Sequence, residues 1–200
     1  MIRHIVFDIG GVLMGFDSHA LAAAFAPAGE AGLLHREMFE GTDWLSMDRG
    51  GDEQAALARV QSRLPERLRP NAARLLAEWD RLLEPIGETN ALARQLAEMG
   101  YGLYILSNFS RRFYALRERI PAWPYIRGAV VSCEERLLKP DTQIYRRLYD
   151  RFGLDPGECF FIDDSNANME AARWTGMHGC QYRGRIGPVA DKLRRLGVPL

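Results

Sequence analysis

The run Ile5-Val6-Phe7 ends in a carboxylate, Asp8, and is followed at once by Ile9-Gly10-Gly11-Val12-Leu13. β-Branched and aromatic residues that stop at an acid and a glycine pair read as a buried strand delivering Asp8 to an open loop. No further strand pattern occurs until Gly102-Leu103-Tyr104-Ile105-Leu106. The first strand must therefore join a sheet whose other members lie beyond residue 100. What intervenes is an insertion at the carboxyl end of that strand, the edge where open α/β sheets bind ligands.

The intervening block reads as all-helical. Asp17 and Ser18 offer caps for a helix through Phe25, residues 30–39 suit a second, and Asp52 caps a third that carries Ala56, Leu57, Val60 and Leu64. Asn71 opens another, with Leu75, Leu76, Trp79, Leu82 and Leu83 on one stripe. Between these helices, Gly41 to Gly51 reads as a polar, glycine-punctuated loop containing Trp44, Asp48 and Arg49. From Pro85 onward, helices alternate with short apolar strands at 102–106, 129–132, 159–162 and 178–182. That alternation is the pattern of a parallel sheet covered on both faces. The expected architecture is thus α/β: a Rossmann-like core of residues 1–15 and 85–200, with a helical cap, residues 16–84, over the strand ends as a candidate lid.

With 26 basic and 26 acidic side chains the chain is electrically balanced, which disfavours nucleic acid or an anionic membrane as partner and leaves small molecules. Cys133, Cys159 and Cys180 are far apart and lack metal-site spacing, so reduced thiols are expected. There is no signal-like amino terminus and no apolar run of membrane-spanning length, and a cytoplasmic protein is the expectation.

Four polar features fall just past an apolar strand or at the start of a helix: Asp8, Ser107-Asn108, Lys139-Pro140, and Asp163-Asp164 with Asn168. Singly, each has an ordinary reading as a cap, a solvated charge or a turn. Together they supply carboxylate oxygens for Mg²⁺, a compact cation, and hydroxyl and N–H donors for a phosphoryl group. A carboxylate aimed into such a site can form an acyl phosphate and split a difficult hydrolysis into two steps.

In the order Phe7-Asp8-Ile9-Gly10-Gly11-Val12-Leu13, Leu106-Ser107-Asn108, Lys139-Pro140-Asp141 and Phe161-Ile162-Asp163-Asp164-Ser165-Asn166-Ala167-Asn168, the chain resembles the haloacid dehalogenase-like superfamily of phosphohydrolases. Within it, the chain is most similar to sugar-phosphate phosphatases of the glucose-1-phosphatase type. The resemblance implies a phosphorylated small-molecule substrate and Mg²⁺ as cofactor. It implies Asp8 as nucleophile and metal ligand, with the Gly10 carbonyl and Asp164 as further ligands and Asp163 ligating directly or through water. Ser107 and the Asn108 amide would hold phosphoryl oxygens. Lys139 would neutralise Asp8 and the transferred group, and Asn168 would orient these residues from behind. Apart from the resemblance, Trp44, Asp48 and Arg49 lie in the glycine-rich loop of the inserted block, where a cap could reach over the phosphate, and are expected to help read the leaving group.

The chain departs from the pattern of most phosphatases of this superfamily at position 10, where an aspartate acts as acid and base. A positioned acid/base contributes roughly a hundred- to ten-thousand-fold, so Gly10 should slow hydrolysis of poor leaving groups. The glucose-1-phosphatase-like branch shares the substitution, and an anomeric oxygen needs protonation less. Two rivals remain. A 2-haloacid dehalogenase would use the same nucleophile without metal, but Asp163 and Asp164 beside Asp8 would then repel one another uncompensated. A catalytically impaired binding or regulatory protein is suggested by Gly10 alone. The four histidines lack the spacing of a metal cluster, and Trp79, Trp123 and Trp174 read as core or interface residues.

Overall fold

A computed structural model describes residues 1–200. Its centre is a five-stranded, wholly parallel sheet in the order β3-β2-β1-β4-β5. The strands are β1 His4–Phe7, β2 Gly102–Ser107, β3 Ile126–Val131, β4 Cys159–Asp163 and β5 His178–Gln181. β1 is central because its residues after His4 are apolar and fully buried on both sides, and it pairs with β2 and β4. Phe7 stands level with Ile105 on one side and Ile162 on the other. The same register brings Asp8, Ser107 and Asp163 out at one edge.

Five helices fill the segment between β1 and the next core helix: α1 Ser18–Phe25, α2 Ala31–Phe39, α3 Thr42–Asp48, α4 Glu53–Arg63 and α5 Arg69–Glu78. Side-chain oxygens of Asp17 and Asp52 cap α1 and α4 as the sequence suggests. α3 corrects the expected loop. It lacks an apolar repeat, and it is held from outside: buried Asp43 accepts from Arg59 Nε at 2.6 Å and Arg63 Nη2 at 2.8 Å, while Met47 packs inward. The α5 stripe stops early as well. The chain tightens into a 3₁₀ turn at Trp79–Leu82, which leaves Leu82 47% exposed.

The core helices are α6 Gly87–Glu98, α7 Phe113–Leu116, α8 Ser132–Glu135, α9 Thr142–Phe152, α10 Asn166–Trp174 and α11 Gly187–Arg195. The helix expected from Ser110 to Ile120 is reduced to α7 and a 3₁₀ turn. There Arg112 and Arg119 donate to carbonyls of Ala77, Asp80 and Leu83. β3 begins three residues earlier than expected and hands Ser132 to α8. One apolar cluster of 39 buried residues joins the inserted helices to one face of the sheet. A second, of 15, packs α9 and α10 on the other. Trp174, expected inside or at an interface, is 86% exposed because it ends α10 on its solvent side. All three cysteines are free thiols, and no helix is long and apolar enough to cross a membrane.

Candidate active site

Asp8 leaves β1 with its N–H donating to the Ile162 carbonyl at 2.9 Å, which fixes it level with the end of β4. Its Oδ1 accepts from the Ile9 N–H at 2.7 Å, and its Oδ2 lies 3.0 Å from Lys139 Nζ. The loop then needs glycine. Gly11 has φ +72°, and a Cβ there would stand 2.3 Å from Asp164 Oδ2.

Lys139 spends all three ammonium protons within the chain: on Asp8, on Asp163 Oδ2 at 2.6 Å and on the Leu106 carbonyl at 3.0 Å. Burial alone would lower its pKa, but Asp163 and Asp8 outweigh that and hold it above the usual lysine value. For Asp8 burial acts in the opposite sense, pushing its carboxyl up, with Lys139 opposing and Asp163 and Asp164 adding to the rise.

Asp8, Asp163 and Asp164 present carboxylate oxygens that all lie within 4.8 Å of one another. Asp163 is fully buried, and its oxygens are already spent. One accepts from Lys139, both accept from Asn168 Nδ2 at 3.0 and 3.1 Å, and Oδ1 also accepts from the Ser165 N–H. Asp163 thereby anchors Lys139 and Asn168. Asp164 is exposed and makes no ion pair, and the Gly10 carbonyl accepts no hydrogen bond within the chain. These free oxygens, with Asp8, are the donor set a hard divalent cation takes. Three carboxylates against one ammonium also leave an anionic excess that such a cation fits.

Ser107 Oγ is buried without any hydrogen-bond partner, an expensive state unless a ligand supplies one. The Asn108 side chain is engaged within the chain. Its Oδ1 accepts from the Lys139 N–H at 2.7 Å and its Nδ2 donates to the Lys139 carbonyl at 2.9 Å. Only the backbone N–H of Asn108 remains without a partner.

Above the carboxylates is a cavity of about 170 Å³ lined by Asp8, Gly10, Asn108 and Asp164 below and by Phe16, Trp44, Asp48, Trp79 and Phe109 around it. Trp44 thus lies where the sequence suggested, packed 5.0 Å from Trp79 between ring centroids. Arg49 does not. One residue past Asp48 on a helical turn, it points away, exposed and unpaired, outside the cavity. Phe16, Trp79 and Phe109 were missed as site residues. Phe16 sits in an irregular linker, and Trp79 is buried enough to pass for core.

A family model described as haloacid dehalogenase-like hydrolase matches residues 2–176. The chain belongs to the haloacid dehalogenase-like hydrolases. Among curated relatives of this hydrolase, a sesquiterpene phosphatase of Aspergillus oryzae is 31% identical over 57% of this chain and 58% of its own length. A flavin mononucleotide hydrolase of Arabidopsis thaliana is 25% identical over 54% of this chain and 43% of its own. The match thus spans about half the length of these relatives. Among solved structures, a haloacid dehalogenase family enzyme of Bacteroides thetaiotaomicron, in complex with magnesium and inorganic phosphate, superposes with TM-score 0.71 at 21% identity. That superposition covers 92% of this hydrolase and 96% of that chain. The L-2-haloacid dehalogenase of Xanthobacter autotrophicus does so with TM-score 0.70 at 19% identity, over 100% and 85%. At these identities the structural likenesses establish the fold.

Proposed function

We propose that this hydrolase is a Mg²⁺-dependent phosphomonoesterase that works through an aspartyl phosphate on Asp8. One observation carries the reading: the packed carboxylates of Asp8, Asp163 and Asp164, whose negative charge Lys139 alone does not balance. A dehalogenase that dispenses with metal has no use for that excess, and the names of the curated relatives point the same way.

Asp8 and Asp164, with the Gly10 carbonyl, would hold Mg²⁺. The ion would shield the approach of an anionic phosphate to an anionic nucleophile and stabilise charge on the phosphoryl oxygens. Lys139, fastened by Asp163 and Asn108, favours the ionised form of Asp8 and aims it. The unpartnered Ser107 hydroxyl and Asn108 N–H donate to phosphoryl oxygens. Asp8 attacks phosphorus, the ester oxygen departs, and water then releases phosphate from Asp8. Phe16, Trp44, Trp79 and Phe109 enclose the side from which the leaving group projects. A cavity of about 170 Å³ walled by rings suits a small alcohol with an apolar face, as the face of a sugar ring is, and a sugar phosphate is the substrate class proposed.

The test is release of phosphate from a panel of phosphorylated metabolites with Mg²⁺, with chelator, and with Asp8→Asn. Turnover that requires both Mg²⁺ and Asp8 is expected. Chloride release from 2-chloropropionate in chelator would replace this reading with dehalogenation.

A further inference from the structure

The family's usual acid/base position is Gly10, and its backbone does not explain the missing side chain: Gly10 is outside the left-handed region. A Cβ there would meet Phe16 Cβ at 3.6 Å, an ordinary contact, so crowding does not explain it either. The cavity nevertheless has a third carboxylate besides Asp8 and Asp164. Asp48, at the last turn of α3, is only 8% exposed and lines the cavity. It lies outside the three-carboxylate cluster and makes no ion pair with any lysine, arginine or histidine. A buried carboxylate without a partner is costly to keep charged.

Its backbone is bolted to the core. Ser132 Oγ donates to the Asp48 carbonyl at 2.5 Å and accepts from the Phe109 N–H at 2.9 Å. Gly50, with φ +81°, passes so close to the Cys133 carbonyl that a Cβ there would be 2.4 Å from it. Asp48 is thus held by the strand end that follows Ser107-Asn108, and the reach into the cavity is fixed rather than left to a swinging lid.

We propose that Asp48 is the acid and base of this hydrolase, supplied by the cap in place of the residue missing at Gly10. The inference rests on the phosphomonoesterase reading and adds the proton path to it. As Asp8 bonds to phosphorus and the P–O bond to the alcohol breaks, the Asp48 carboxyl gives its proton to the departing oxygen. The resulting carboxylate then takes a proton from the water that attacks phosphorus, which restores the protonated Asp48, and as the bond to Asp8 breaks phosphate leaves.

The groups facing Asp48 suit this cycle. Burial, reinforced by Asp8 and by Glu53 of α4, pushes its carboxyl up to about 7, against Lys139 and the Ser110 N–H, which favour the charged form. Cys133 of α8, itself pushed up by burial, stays a neutral thiol beside it.

The experiment compares wild type and Asp48→Asn on two substrates, 4-nitrophenyl phosphate, whose leaving group needs no proton, and an alkyl phosphate, whose leaving group does. In a single turnover with Mg²⁺, nitrophenolate release should stay within about threefold of wild type, while alcohol release falls about a hundred- to ten-thousand-fold. Phosphoenzyme should accumulate in the variant, because its hydrolysis also needs the base. Asp48→Glu should recover part of the loss, and the pH profile of alcohol release should lose its alkaline limb in Asp48→Asn. Equal losses on both substrates, or none on either, overturn the assignment, as does Asp48→Glu behaving like Asp48→Asn. If wild type and Asp8→Asn are equally inert on both substrates, the phosphomonoesterase reading fails first and takes this one with it.

Discussion

Asn108 and Lys139 are joined by two reciprocal hydrogen bonds, side chain to backbone, at 2.7 and 2.9 Å. The side chain of Asn108 thus sets the loop that carries the lysine, and its backbone N–H is left for substrate. Asn108→Ala should leave the Lys139 N–H and carbonyl unpaired and lower stability by about 1–3 kcal/mol. kcat should fall while phosphate binding changes little. Urea titration and phosphate inhibition separate the two effects, and a large loss of phosphate affinity would return Asn108 to the ligand.

Asp163 and Asp164 are neighbours in sequence with opposite expected behaviour. Asp163→Asn strips Lys139 of a buried partner, and removing one member of such a pair costs about 3–5 kcal/mol. Asp164 is exposed and pairs with nothing, so Asp164→Asn should change stability by no more than about 0.5 kcal/mol. It should nonetheless abolish the thermal stabilisation that Mg²⁺ gives the wild type. Denaturation with and without Mg²⁺ checks both.

Asp48 folds with its carboxyl raised to about 7, whereas unfolded it titrates near pH 4. Its folded form therefore keeps a proton that the unfolded chain has lost across that window, and its contribution to stability is full below about pH 4 and lost as pH rises through 7. In chelator, Asp48→Asn should gain on wild type steadily from pH 4 to 7 and then run parallel to it. Urea midpoints at four pH values measure the difference.

Ser132 donates to Asp48 and accepts from Phe109, joining α3 to the strand ends. Ser132→Ala should cost about 1–3 kcal/mol by leaving both backbone groups unmatched. It should also slow alkyl phosphate hydrolysis more than hydrolysis of 4-nitrophenyl phosphate.

Trp44 faces the cavity and Arg49 does not. Trp44→Ala should reorder preference among phosphorylated alcohols, whereas Arg49→Ala should leave the profile of a substrate panel unchanged.

The sheet and the lower half of the site were legible because an apolar strand runs straight into a carboxylate at Phe7-Asp8 and again at Ile162-Asp163. Parallel pairing then forces such ends to one edge. The upper half was legible only in part. α3 carries no apolar repeat, since its helix depends on Asp43 meeting Arg59 and Arg63 from 16 and 20 residues away. Without that helix, the opposite directions of Asp48 and Arg49 could not be told apart. Trp79 shows the converse difficulty, because a ring that walls a small cavity is as buried as one in the core.

The continuous apolar cluster has a consequence for how substrate gets in. Leu21, Leu34, Val60 and Leu75 of the inserted helices belong to the same packed body as Ile5 and Phe7 of the sheet. Raising the whole block as a flap would wet those side chains of the cluster that pack across the junction, at roughly 25 cal/mol per Å² exposed. Rotation of one or two rings at the mouth, such as Phe16 and Trp44, wets far less. Side-chain rotation at Phe16 and Trp44, which line the cavity, is then the less costly way to admit substrate.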